Sequence, residues 1–96
     1  NKVYKNEGNS YVLREVPEEA VTIFDIGCGA GDIAKSLKKD NRIIIGMTLS
    51  NEEKEMASNF CNEVIIADIE KYDALNYNNF FDVIIDMILS TCCILM

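Results

Sequence analysis

Short apolar blocks recur along the chain, each closed by glycine, asparagine or an acidic residue, and blocks of strand character alternate with blocks of helical spacing. Residues 11–16 predict a short helix closed by the turn at Pro17. Residues 21–24, β-branched and aromatic, predict a first strand that runs into Asp25 and three glycines. Ile33, Ala34 and Leu37 then fall at helical spacing, with lysines at the helix end where they favour its dipole. Residues 42–46 predict a second strand whose apolar run is expected to be buried on both faces. Ser50 opens a further helix with Met56, Ala57 and Phe60 on one side. Residues 63–67 form an expected third strand ending at Asp68, and residues 81–85 a fourth. A polar stretch precedes these elements, an Asn- and Tyr-rich stretch to Asn79 separates the last two strands, and an apolar tail runs from Ile88 to Met96.

Strands alternating with helices pair in parallel through right-handed crossovers. The expected fold is therefore α/β, a Rossmann-like doubly wound parallel sheet truncated to about four strands. No repeat, low-complexity tract or linker interrupts it, and 96 residues suffice for one domain, so residues 1–96 are read as a single unit. The chain opens on Asn1 rather than Met, which suggests a trimmed start.

Charge narrows the partners. Sixteen acidic residues against nine basic ones give a net charge of −7, and no basic stripe is visible beyond the short patch Lys35, Lys38 and Lys39. Nucleic acid, whose phosphates demand such a stripe, is not an expected partner. No apolar run is long enough to span a membrane. Of the four cysteines, Cys28 lies in the glycine segment, while Cys92 and Cys93 are adjacent and badly placed to pair with each other. With no histidine and no CxxC pair, metal binding is not expected either. Reduced thiols in a cytoplasm are the reading that remains.

The candidate chemistry lies in Asp25-Ile-Gly27-Cys28-Gly29-Ala-Gly31-Asp32. Glycines between a strand and a helix let a ligand approach backbone that a side chain would cover. The dinucleotide fingerprint G-x-G-x-x-G would need its last glycine at position 32, which is Asp32, and an acid there repels a pyrophosphate. An NAD site is disfavoured on that spacing. A P-loop is excluded, since no Gly-Lys-Ser/Thr follows.

Residues 24–31 resemble the first motif of class I S-adenosylmethionine (SAM)-dependent methyltransferases. The resemblance implies that Gly27, Cys28, Gly29 and Gly31 cradle SAM and that Asp25 orients its amino-acid end. After the second strand, Gly46-Met-Thr48-Leu49-Ser50 resembles the Gly-x-Thr-Leu-Ser variant of cyclopropane fatty acid synthases and related small-molecule methyltransferases. There a Gln three residues past the Ser helps hold the ribose; here that position is Glu53, whose carboxylate can accept both hydroxyls. Ser50-Asn-Glu-Glu53 is equally a helix capping box. In Ala67-Asp68-Ile69-Glu70, the resemblance implies that Asp68 accepts the adenine amino group and that backbone near Ile69 reaches the ring. Phe81 and Asp82 match the family's fourth-strand signature, as a core residue and a structural carboxylate.

The pattern breaks after that strand. Relatives carry an acidic residue and a Leu-Glu-His turn at the methyl-transfer site, whereas this chain reads Asp86-Met-Ile-Leu-Ser90 and has no histidine. Asp86 stands either as a surviving site residue or as a strand-end carboxylate. The resemblance covers roughly residues 20–90, the cofactor half of a fold that normally continues through three more strands. It implies the cofactor-binding portion of a methyltransferase acting on a small molecule, lipid or sugar, or a truncated module that binds SAM without transferring methyl groups. A fourth strand left at the sheet edge is expected to self-associate or to be covered by the apolar tail.

Overall fold

The computed structural model describes residues 10–68, 80–88 and 91–96. In chain order these form α1 (Ser10–Glu15), β1 (Thr22–Ile26), α2 (Asp32–Leu37), β2 (Ile43–Thr48), α3 (Asn51–Ala57), β3 (Glu63–Ile66), β4 (Val83–Asp86) and β5 (Thr91–Ile94). The strands make one sheet in the order β3-β2-β1-β4-β5. β1 pairs in parallel with both β2 and β4, and β2 in parallel with β3. The chain thus starts at the centre, steps outward twice, and crosses back to the other side of β1. That reversal beside β1 is where open α/β sheets leave a crevice at the carboxyl ends of their strands.

The expected α/β class holds, with one addition. The apolar tail is a fifth strand, antiparallel to β4, with Asp86 opposite Thr91 and Val83 opposite Ile94. The connection, residues 87–90, is too short for the crossover that a parallel neighbour needs, so a hairpin is the only way back. The tail therefore covers the edge of β4.

Side-chain alternation along β1 divides the core. Ile23 joins Ile44, Val64, Val83 and Ile85 against Val12, Ile33, Ala34, Leu37 and Ala57 of the three helices. Phe24 and Ile26 join Met47 and Phe81 on the opposite face. There the Phe24 and Phe81 rings stack with centroids 4.8 Å apart, and Phe80 meets Phe81 edge-on at 4.9 Å. Asp25, two residues from Ile23, turns toward the helical face.

Three local expectations are corrected. β2 is not buried on both faces, because Ile43 at its start is exposed and Ile45 only half-buried. Met56 is exposed as well; α3 instead buries Glu53 and Ala57. β4 begins at Val83, since Asp82 bends to accept hydrogen bonds from the backbone N–H groups of Val21 (2.8 Å) and Thr22 (3.3 Å). Those bonds hold its carboxyl below the usual range and give Asp82 the structural role expected of it.

Arg42 is buried ahead of β2. Its Nε donates to the Ala20 carbonyl (2.9 Å), Nη1 to that of Leu37 (2.8 Å) and Nη2 to those of Pro17 (3.3 Å) and Glu18 (3.1 Å). One guanidinium thereby ties the entry to β1 to the end of α2. By contrast the Lys39–Glu18 ion pair, at 3.1 Å, is exposed and contributes little.

Candidate functional site

The segment between β1 and α2 turns back on itself through three residues of left-handed backbone: Gly27 (φ 75°), Gly29 (φ 55°) and Gly31 (φ 93°). Its start is tied to the carboxyl end of β2, because Gly27 and Cys28 both donate their N–H groups to the Met47 carbonyl at 2.9 Å. Two of the glycines also answer to the protein itself. A Cβ on Gly31 would lie 3.0 Å from Ala57 Cα and 3.1 Å from the Phe60 ring, at the end of α3. A Cβ on Gly27 would lie 3.2 Å from Ile88 Cγ1, beside the hairpin that follows β4. Backbone approach here serves packing against two neighbours.

Beneath the loop sits a buried acidic group. Asp25 is wholly buried, and among the described residues neither carboxylate oxygen has a hydrogen-bond partner. Burial pushes its pKa up from 3.8 to about 7. A folded chain rarely leaves such a group unsatisfied without a use for it.

Cys28 does not face the loop's open side. Its side chain is buried in the helical-face core, where a Cβ on Gly46 would meet Cys28 Sγ at 2.8 Å and Cys61 Sγ at 3.1 Å. Gly46 pairs with Asp25 across β1 and β2. A glycine inside a buried strand signals close approach of this kind, and the two sulfurs occupy the space its side chain would fill. A hydrogen bond with Cys61, burial and the negative neighbours Asp25 and Glu53 all push the Cys28 thiol up. The expectation for Cys28 is thus refined: its backbone shapes the loop while its side chain packs.

At the end of β2, Thr48 is buried and its hydroxyl donates to Glu53 Oε1 at 2.5 Å. Ser50 caps α3, its hydroxyl accepting from the Glu53 N–H at 3.2 Å and lying 3.3 Å from Glu53 Oε1. Ser50 thus caps α3 as the capping reading expects, while the Glu53 carboxylate accepts from the Ser50 and Thr48 hydroxyls. Leu49, between them, is 70% exposed. Asp68 is exposed just past β3, where the Ala67 N–H extends the ladder to the Thr48 carbonyl at 3.0 Å. Asp86 accepts from the Ile88 N–H at 3.0 Å, which closes the turn after β4. Ile69 lies outside the described residues.

Asp25, Gly27, Gly29, Gly31, Thr48, Leu49, Glu53 and Asp68 thus gather at the carboxyl ends of β1, β2 and β3, beside the topological reversal. A buried carboxylate without a hydrogen-bond partner among the described residues has the chemistry to receive a cationic amino group. Among the described residues no group of three His, Cys, Asp or Glu side chains could hold a metal, and no helix is long and apolar enough to cross a membrane. The sequence did not point to Arg42 or Cys61, and it gave Gly46 only as the first residue of the Gly-x-Thr-Leu-Ser segment, without its packing against two cysteine sulfurs.

Comparison with known proteins agrees with this geometry. The family model described as mycolic acid cyclopropane synthetase matches residues 14–94. No curated protein matches the chain. Among solved structures, the plantazolicin methyltransferase BpumL in complex with SAH is 28% identical, with a TM-score of 0.57 over 79% of this chain and 30% of that one. The same enzyme with a pentazolic desmethylPZN analog and SAH gives 25% identity and a TM-score of 0.58, over 81% of this chain and 31% of that one. A TehB-like SAM-dependent methyltransferase from Corynebacterium glutamicum shares the fold at 20% identity and a TM-score of 0.64, over 85% of this chain and 45% of that one. The chain spans about a third of the length of BpumL.

Proposed function

This chain belongs to the mycolic acid cyclopropane synthetase family, and from that premise we propose that it is the SAM-binding portion of a methyltransferase acting on a small molecule, lipid or sugar. The observation that carries the reading is Asp25. It is fully buried and has no hydrogen-bond partner among the described residues, beside a loop of left-handed glycines. SAM brings an ammonium group that such a carboxylate would accept, and BpumL, at 28% identity, was solved with the demethylated product SAH.

In this reading Asp25 receives the amino-acid end of the cofactor and Gly27, Gly29 and Gly31 admit it. Thr48 and Glu53 form the wall toward the ribose, with Leu49 at its rim. Asp68 and the backbone near Ile69 take the adenine, and Asp86 stands at the end where an acceptor would approach. When bound, SAM supplies an electrophilic methyl group; the chain's own part is to bind and orient it. The four free cysteines suit a reducing compartment, and we place the protein in the cytoplasm.

Calorimetric titration with SAM and SAH tests the proposal. Binding should strengthen as pH rises through about 7, because the ligand's ammonium favours ionised Asp25 and protonated Asp25 must first release its proton. Asp25→Asn should weaken binding at least ~10-fold, a loss of about 1.4 kcal/mol or more. Absence of SAM binding by the intact chain defeats the reading.

A second reading is a module that binds SAM without transferring methyl groups, since the chain matches only about a third of the length of BpumL. Binding without turnover on candidate acceptors would select it.

A further inference from the structure

Cys28 and Cys61 belong to different elements and meet over one glycine. Cys28 stands in the loop after β1, its N–H tied to the Met47 carbonyl of β2 at 2.9 Å. Cys61 follows α3, its N–H closing on the Ala57 carbonyl at 2.9 Å. The next residue, Asn62, engages both backbone groups of Ile44 in β2. Its N–H donates to the Ile44 carbonyl at 2.8 Å, and its Oδ1 accepts from the Ile44 N–H at 2.8 Å. The backbones around both cysteines are therefore pinned to one strand, at residues that flank Gly46.

Gly46 leaves the space between the two side chains open. A Cβ there would lie 2.8 Å from Cys28 Sγ and 3.1 Å from Cys61 Sγ, so both sulfurs converge on one point. They share a hydrogen bond and the same buried cluster. Convergence is what a bridge requires, since cysteines whose side chains diverge cannot be joined without moving backbone.

We propose that Cys28 and Cys61 form an intrachain disulfide when the protein meets a hydroperoxide, joining the glycine loop covalently to the end of α3. Cys61 is 8% exposed and Cys28 not at all, so the oxidant reaches Cys61 first. The Cys61 thiolate attacks one peroxide oxygen and breaks the O–O bond, leaving Cys61 as a sulfenic acid; the displaced hydroxide takes up the thiol proton as water. Cys28 Sγ then attacks the Cys61 sulfur, the S–O bond breaks, and the sulfenic oxygen leaves as water with the Cys28 proton. Two thiols lose two electrons and two protons, and one hydrogen peroxide becomes two waters. The hydrogen bond to Cys61, burial and the negative neighbours Asp25 and Glu53 hold Cys28 as a thiol, which suits it to the second step. In a reducing compartment such a bond is transient and senses oxidant.

The test uses the chain with Cys92→Ser and Cys93→Ser, which removes the other two thiols. Hydrogen peroxide under native conditions should lower its mass by two hydrogens, and mapping without reductant should find Cys28 joined to Cys61. The same link should appear in the parent chain. The bond encloses α2, β2 and α3, so it restricts the unfolded chain; Tm should rise by about 10 °C or more, and dithiothreitol should reverse the rise. With Cys28→Ser added, dimedone should label Cys61 as a trapped sulfenic acid. Gly46→Ala sets a methyl between the sulfurs and should slow disulfide formation at least ~10-fold. Thiols that stay reduced, Cys61 driven to sulfinic acid with Cys28 unmodified, or a link formed only in urea would mean that the sulfurs serve packing alone, and each overturns the proposal. Every readout is made without SAM, so this inference and the proposed function fail separately.

Discussion

Burying Asp25 costs the fold stability. Its folded pKa of about 7 lies above its ordinary value of 3.8, so between those values the folded state holds a proton that the unfolded chain has released. The favourable contribution is complete below pH 3.8, falls as pH rises through about 7, and is absent above it. At pH 8 the buried carboxylate is then a penalty on the order of 4 kcal/mol. Asp25→Asn, which cannot ionise, should therefore be more stable than the parent to urea at pH 8 without ligand, with the advantage fading toward pH 4. A parent chain that is the more stable at pH 8 would show that the carboxylate is partnered after all. Arg42 is the opposite case, a buried charge with its donors engaged by four carbonyls. Arg42→Met should lower the unfolding free energy by about 3 kcal/mol, since it strips charged hydrogen bonds from carbonyls that remain buried. A change below about 0.5 kcal/mol, the size of an ordinary surface substitution, would mean those carbonyls find water instead.

At the scale of elements, the loop between β1 and α2 couples strand, helix and hairpin. Gly31→Ala must place a Cβ 3.0 Å from the backbone of Ala57 while keeping φ at 93°. It should cost about 2 kcal/mol or more, combining left-handed strain of roughly 1–2 kcal/mol with displacement of α3. Ser50→Ala removes only a cap and should cost about 1 kcal/mol. Urea unfolding of the two variants separates them, and equal losses would refute the packing argument. These elements were legible in different degrees. The alternation of strands and helices, the parallel sheet and the cluster under Ile33, Ala34 and Leu37 follow from apolar spacing and turn residues, which are local. The glycine loop was legible because left-handed turns select glycine. Arg42 was not, because a charge at a strand start reads as solvated unless one knows which carbonyls converge on it. The tail was expected as one of two ways to cover the edge of the fourth strand, and it does cover it; that it would do so as a strand was not legible, because an apolar run of this length carries no period. The capping motif gave the Ser50 cap correctly, while the bond from Thr48 to the Glu53 carboxylate depends on how β2 enters α3.

Across the whole molecule, the hairpin links the sheet edge to the candidate site. β5 covers β4 with its inward-pointing residues, Cys92 packs into the helical-face cluster, and Ile88 between the strands lies against Gly27. Removing residues 91–96 would leave the inward groups of Ile84 and Asp86 to water and uncover Val83 and Ile85, which are fully buried in the intact chain. Water can replace the hydrogen bonds at modest cost, so the loss should come mainly from the exposed apolar surface. For a domain of this size each 1 kcal/mol moves Tm by roughly 4–8 °C, and a drop of about 10 °C or more is expected. Because Ile88 lies against Gly27, loosening the hairpin should also weaken SAM binding, although no residue from 91 to 96 belongs to the proposed cradle. Thermal unfolding and calorimetry on the shortened chain check both effects. If Tm falls and affinity stays unchanged, the loop is held by β2 and α3 alone and the Ile88 contact is incidental; if both fall together, the edge strand positions the site.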